Sequence, residues 1–200
     1  MAGHSVRLFA AVQLPEDAAE TLVRWGRAAV SEAGLGGGGA RARVLAREAL
    51  HLTLCFLGSR SVEELDALAG AVEDCGEGAI GELVVGAPVW LPPRRPRALA
   101  VEIHDPLGTL AELQARVRDA LASVSGWEPP RGRFRAHVTV IRARDAGGAA
   151  GVALPATPRL SFVPSRTALL RSQLEPAGAR YETVASAPLG AAGYSPPGSQ

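Results

Sequence analysis

Residues 51–58 read HLTLCFLG and residues 137–144 read HVTVIRAR. Side chains alternate along a strand, so in each stretch the histidine and the threonine two residues later share one face. Leu52, Leu54, Val138 and Val140 share the other. The apolar face belongs to a core, which leaves His51 with Thr53, and His137 with Thr139, projecting together into solvent or a cleft. The same parity puts Cys55 on the face of His51. It puts Arg142, an odd five residues after His137, on the core side unless the strand ends or bulges before it. One such strand is an ordinary exposed sheet face. Here two of the chain's four histidines repeat the arrangement, apolar spacers included. His4, near the terminus, and His104, with Pro106 two residues on, do not repeat it and read as structural or surface residues.

Around these strands the chain reads as strands joined by helices. Residues 6–14, VRLFAAVQL, form a strand, and a helix follows with Pro15 and acidic residues opening it and Gly34 closing it. Gly34, Gly36 and Gly39 satisfy G-x-G-x-x-G, but they trail a helix and precede a strand, the reverse of the dinucleotide-binding order, so the segment reads as a loop. Ser61 with Glu64 makes a capping box for a second helix. Two strands bracket the basic turn PPRRPR, residues 92–97, whose Arg94, Arg95 and Arg97 read as solvated, and a long amphipathic helix follows from residue 107. After the second motif and a Gly/Ala-rich loop come two or three more strands. The pattern is α+β with mainly antiparallel sheets covered on one face by helices, and each half of the chain holds a helix and one His-x-Thr strand. Residues 1–188 read as a single domain of two lobes and 189–200 as a disordered tail.

Two hundred residues with 47% hydrophobic content suffice for one core. No apolar run reaches the roughly 20 residues that span a bilayer, and the first residues lack a secretory signal, so the expectation is a cytoplasmic, monomeric protein without membrane contact. Cys55 and Cys75 are too few for a disulfide framework and read as packed thiols. The net charge of +1 argues against broad polyanion binding. All 21 basic residues are arginine, which excludes lysyl-nucleotide intermediates, lysine Schiff bases and a Walker lysine.

Two imidazoles and two hydroxyls without an obvious nucleophile or acidic cluster suit phosphodiester hydrolysis. In-line displacement at phosphorus needs a base for the attacking water and an acid for the departing oxygen on the opposite side. Histidine's pKa near 6.5 allows one ring to be neutral while the other is charged. Threonine hydroxyls can donate to the nonbridging oxygens, and nothing in this chemistry calls for a cofactor. The His-x-Thr spacing also lacks the usual metal-ligand pattern.

The segments RLFAAVQLP, LHLTLCFLG, PRALAVEI, FRAHVTVIRAR and LLRSQLEPAGARYETV, in that order, resemble the 2H phosphoesterases. Within that superfamily they are similar to the RNA 2′,3′-cyclic phosphodiesterases once called 2′-5′ RNA ligases. The resemblance implies a bilobal α+β fold with two pseudo-symmetric sheets, helices on the outer faces and the motifs facing across a central cleft. It implies hydrolysis of an RNA terminal 2′,3′-cyclic phosphate to a 2′-phosphate, with His51 as proton donor and His137 as proton acceptor. Thr53, Thr139 and Arg142 would bind the phosphate. Two readings stay beside this one: the same chemistry on small cyclic nucleotides or 2′-5′-linked RNA, and a noncatalytic module that binds RNA ends. The chain departs from the family in having Ala136 where proline usually precedes the second histidine, and in lacking an aromatic upstream of the first motif.

Overall fold

The computed structural model describes residues 4–34, 42–143, 153–175 and 178–192. Apart from Gly34, the glycine-rich loop lies outside the described residues. Along the chain run β1 (Ser5–Gln13), α1 (Glu16–Glu32), β2 (Ala42–Val44), β3 (His51–Ser61), α2 (Leu65–Glu73), β4 (Ala79–Ile80), β5 (Leu83–Leu91), β6 (Ala98–His104) and α3 (Thr109–Val124). Then follow β7 (His137–Ala143), β8 (Ser161–Phe162), β9 (Arg166–Glu175), β10 (Gly178–Pro188) and β11 (Gly190–Ala191).

Local chemistry accounts for the helices. Glu16 and Asp17 lie in the first turn of α1, where carboxylates complement the exposed N–H groups. Its Ala18, Leu22, Trp25 and Ala29 recur at helical spacing and are buried. Ser61 caps the turn that leads into α2: its hydroxyl accepts the Glu63 N–H at 3.3 Å, and the Glu64 carboxylate accepts the Ser61 N–H at 3.0 Å. Leu110, Leu113, Val117 and Leu121 form the buried stripe of α3.

Nine of the strands form one sheet in the order β10-β9-β1-β3-β7-β6-β5-β8, with β2 on β7, while β4 and β11 pair separately. The two expected sheets are the antiparallel halves of this one. They meet where β3 and β7 share a single paired position, Leu52 with Val138. Within each half a strand–helix–strand unit repeats. In β1–α1–β3, Gln13 pairs with His51 and Ala11 with Thr53; in β6–α3–β7, Glu102 pairs with His137 and Ala100 with Thr139. The internal duplication expected from the motifs is therefore visible in the register. Each unit's helix packs across the join: α1 lies on β2 and β7, and α3 lies on β3. One large core spans both halves, and a smaller cluster of Phe9, Ala11, Ala168 and Leu170 lies within the first half.

Past residue 188, where a disordered tail was expected, the chain stays packed. Leu189 is buried, and Gly190–Ala191 pairs in parallel with β4. Residues 193–200 lie outside the described residues. Among the described residues no helix is long and apolar enough to cross a membrane.

The approach of α1 to β7 depends on Gly26. A Cβ there would meet Val140 Cγ1 at 2.7 Å and Val44 Cγ1 at 3.1 Å. At Gly70 in α2 a Cβ would meet nothing within 4 Å. Gly70→Ala should therefore raise stability by about 0.5–1 kcal/mol through helix propensity. Gly26→Ala should lower it by about 1–3 kcal/mol through overpacking. Urea denaturation of the two variants beside the parent checks both signs.

Candidate functional site

The identical start of the two motif strands sets up the site. Over their first seven residues β3 and β7 show the same burial sequence, with the histidine and first threonine half-buried and the apolar spacers buried. Continuing the Leu52–Val138 register one residue each way brings His51 across from Thr139 and Thr53 across from His137. All four lie on the face opposite the core and line one cleft of about 1250 Å³.

A bulge follows each threonine. In β3 the partners pass from Ala11–Thr53 to Ala10–Cys55, leaving Leu54 extra; in β7 they pass from Ala100–Thr139 to Leu99–Ile141, leaving Val140 extra. Each extra residue reverses the parity of the strand beyond it. Cys55 consequently leaves the His51 face and packs in the core, as the packed-thiol reading expects, while still bordering the cleft; burial pushes its thiol up to about 11. Phe56 and Arg142 take the corresponding exposed positions and line the cleft. The bulge was the condition under which Arg142 would join the histidine face, and it is present.

Both imidazoles are held alike by the backbone. His51 Nδ1–H donates to Ala49 O at 2.9 Å, and His137 Nδ1–H donates to Arg135 O at 2.8 Å. A carbonyl only accepts, so Nδ1 carries a hydrogen in either charge state and Nε2 is the atom that exchanges a proton. The hydroxyls of Thr53 and Thr139 have no hydrogen-bond partner among the described residues.

Side-chain surroundings break the symmetry. Phe9 of β1 packs on His51 with ring centroids 4.7 Å apart, and Tyr181 of β10 meets His51 edge-on at 4.9 Å. Phe9 also stacks on Phe56 at 5.9 Å, and Arg7 lies over the outer ring. The register places Ala98 opposite Arg142 where Phe9 stands opposite Phe56, and no ring contact involves His137 among the described residues. Burial lowers the His51 pKa to about 4; the bond to Ala49 O opposes that shift, and the charges of Arg142 and His137 add to it.

Arginines dominate the rest of the cleft. Arg142 pairs across strands with Arg43, and Arg97 lies beside them at the far end of β7; Arg131, Arg133 and Arg135 lie before its start. No aspartate or glutamate is among the described lining residues. Of the arginines in the PPRRPR turn, only Arg97 is among the described lining residues. His104 packs over Gly86, and His4 is exposed, both away from the cleft. The RGRFR run beside His137 was present in the sequence as a signal, but its place on the cleft wall was not expected. Nor were those of Phe9, Phe56 and Tyr181, whose roles depend on the bulges and on β10.

In the free protein His51 should titrate near 4 and be neutral at pH 7. A bound anion opposes the charges of Arg142 and His137, so inorganic phosphate should move the midpoint upward. Phe9→Ala and Tyr181→Ala should each also raise it toward 6.5 by restoring solvent. Following the imidazole proton resonances against pH gives all of these midpoints. A value near 6.5 in the free parent would contradict this account of the site.

No protein-family model matches the chain, and no curated protein matches it. Solved structures do. E. coli LigT complexed with 3′-AMP superposes with a TM-score of 0.74 at 24% identity, covering 93% of this chain and 99% of that one. TT0787 of Thermus thermophilus gives a TM-score of 0.69 at 24% identity over 92% of this chain and 98% of that one. The MHV ns2 PDE domain gives 0.58 at 13% identity over 82% and 99%. With a divided antiparallel sheet, crossed helices and paired motif strands, the chain has the fold of LigT.

Proposed function

We propose that this protein is a metal-independent phosphodiesterase that opens the 2′,3′-cyclic phosphate at RNA 3′ ends to a 2′-phosphate. One observation carries the reading: His51 and His137, each tied at Nδ1 to the carbonyl two residues earlier, line one cleft with two unpartnered threonine hydroxyls. Two rings held in this way can serve opposite ends of one in-line displacement. The likeness to known structures supports the same broad class. LigT has been solved with 3′-AMP, ATP, NADP+ and phosphate, and another protein of this fold is a phosphoesterase.

In the proposed reaction a water oxygen attacks phosphorus as His137 Nε2 takes its proton. The bond from phosphorus to the 3′ oxygen breaks, and His51 Nε2 protonates that oxygen, leaving a 3′-hydroxyl and a 2′-phosphate. Thr53, Thr139 and Arg142 hold the nonbridging oxygens, whose charge must be stabilised while phosphorus is five-coordinate. The division of roles follows the family resemblance, and it requires His51 to be charged before it can donate. Because burial lowers its pKa to about 4, the ring must take up a proton as substrate binds. The phosphate's negative charge offsets Arg142 and His137, two of the influences that keep the ring's pKa low. Substrate binding near pH 5–6 should thus be accompanied by proton uptake.

Purified protein given an oligonucleotide ending in a 2′,3′-cyclic phosphate, in EDTA, should release a 2′-phosphate end. Alanine at His51 or at His137 should lower kcat by about 10²- to 10⁴-fold, the contribution of one positioned proton transfer. A 3′-phosphate product would contradict the regiochemistry. Absence of turnover would leave the RNA-end binding module in its place.

A further inference from the structure

One phosphate held between His51 and His137 leaves much of the cleft's positive charge unused. Arg142 serves that phosphate, and Arg43 stands beside it at the far end of β7. Arg131, Arg133 and Arg135 lie at the opposite end, in the segment that enters β7. This segment is anchored. Trp127 is buried in the core, Phe134 packs against the core, and Ala136 O accepts the Ile103 N–H at 3.0 Å. At Gly132 the backbone takes φ of +135°, a conformation that side-chain-bearing residues rarely adopt, and the chain bends there between Arg131 and Arg133.

The arginines between these anchors are exposed. Arg135 is 3.8 Å from Glu102, a long and solvent-exposed pair. Arg131 and Arg133 have no hydrogen bond or ion pair among the described residues. Unpaired guanidinium groups on a fixed wall, facing a cleft whose described lining holds no carboxylate, form a site for further anions. A cyclic mononucleotide brings only its one reacting phosphate. An RNA strand brings one more per nucleotide, and because the reacting group is the 3′ end, every additional phosphate lies on its 5′ side.

We propose that Arg131 and Arg133 bind the internucleotide phosphates on the 5′ side of the reacting end, so that the substrate is a single-stranded RNA oligonucleotide and not a cyclic mononucleotide. The proposal rests on the phosphodiesterase reading given above. Carried on a backbone anchored by Trp127 and Phe134, the two side chains act on any sequence, since phosphate contacts position a strand without reading its bases.

The test compares kcat/KM on a 2′,3′-cyclic mononucleotide and on a tetranucleotide with the same 3′ end, for the parent and for Arg131→Ala/Arg133→Ala. The parent should favour the tetranucleotide at least tenfold. The double variant should lose about tenfold more on the tetranucleotide than on the mononucleotide. The slope of log affinity against log salt should flatten by roughly 1.4 for two lost contacts on a single strand. Arg131→Lys/Arg133→Lys should recover most of that slope, which a purely structural defect would not allow. Equal parental kcat/KM on the two substrates, or a double variant impaired equally on both, overturns the proposal. If the parent turns over neither substrate, the phosphodiesterase reading fails, and the subsite is judged by fluorescence anisotropy of a labelled tetranucleotide carrying a 2′-phosphate. Binding weakened about tenfold in the alanine variant supports the subsite; unchanged binding overturns it.

Discussion

A single backbone pairing, Leu52 with Val138, governs the molecule. Both side chains are fully buried, so the pairing is held by the same apolar burial that holds the core. It joins two antiparallel half-sheets, and because strand side chains alternate, it also turns His51, Thr53, His137 and Thr139 toward one cleft. A slip of one residue in either strand would send that strand's histidine into the core and a leucine or valine into the cleft. Stability and the arrangement of the site thus depend on one register. The helices reinforce it by crossing the join, α1 on β7 and α3 on β3, so neither half can move away without exposing apolar surface.

The two halves are alike in backbone and different in chemistry. Each motif strand has its histidine tied at Nδ1, its threonine and then a bulge, in the same order and with the same burial. Phe9 and Tyr181 enclose one ring, with Phe56 stacked on Phe9, whereas Ala98 and Arg142 occupy the places in the other half that correspond to Phe9 and Phe56. An acid and a base must differ in protonation at one pH, and a symmetric frame cannot supply that difference by itself. Here only the surroundings differ: aromatic rings dehydrate His51 and favour its neutral form, whereas no ring contact reaches His137 among the described residues.

The cleft's field has a similarly local origin. A net charge of +1 leaves the molecule nearly neutral, yet the described cleft lining carries arginines and no carboxylate. Glu16 and Glu48 pair with Arg47 away from the cleft, whereas Asp119 and Glu102 sit behind its wall against the lining Arg118 and Arg135. Such a distribution attracts an anion at short range and is screened within about 10 Å at ordinary ionic strength. It favours a short strand end over a long nonspecific polyanion.

Residue pattern alone determined the α+β class, the helices with their caps, and the four motif side chains, because each depends on spacing within a few residues: alternation for strands, the three-to-four repeat for helices, Ser61 with Glu64 for a cap. It also placed Cys55 on the wrong face and could not place Arg142, because a bulge is a mismatch between two strands and has no signature in either one alone. Only the tertiary structure decided that the two sheets are one, that Leu189 belongs to the packed chain, and that Phe9 and Tyr181 enclose His51. It also decided that the arginines before His137 line the cleft. Those features join residues far apart in sequence, and long-range pairing is set by the burial of the whole core, which no local window contains.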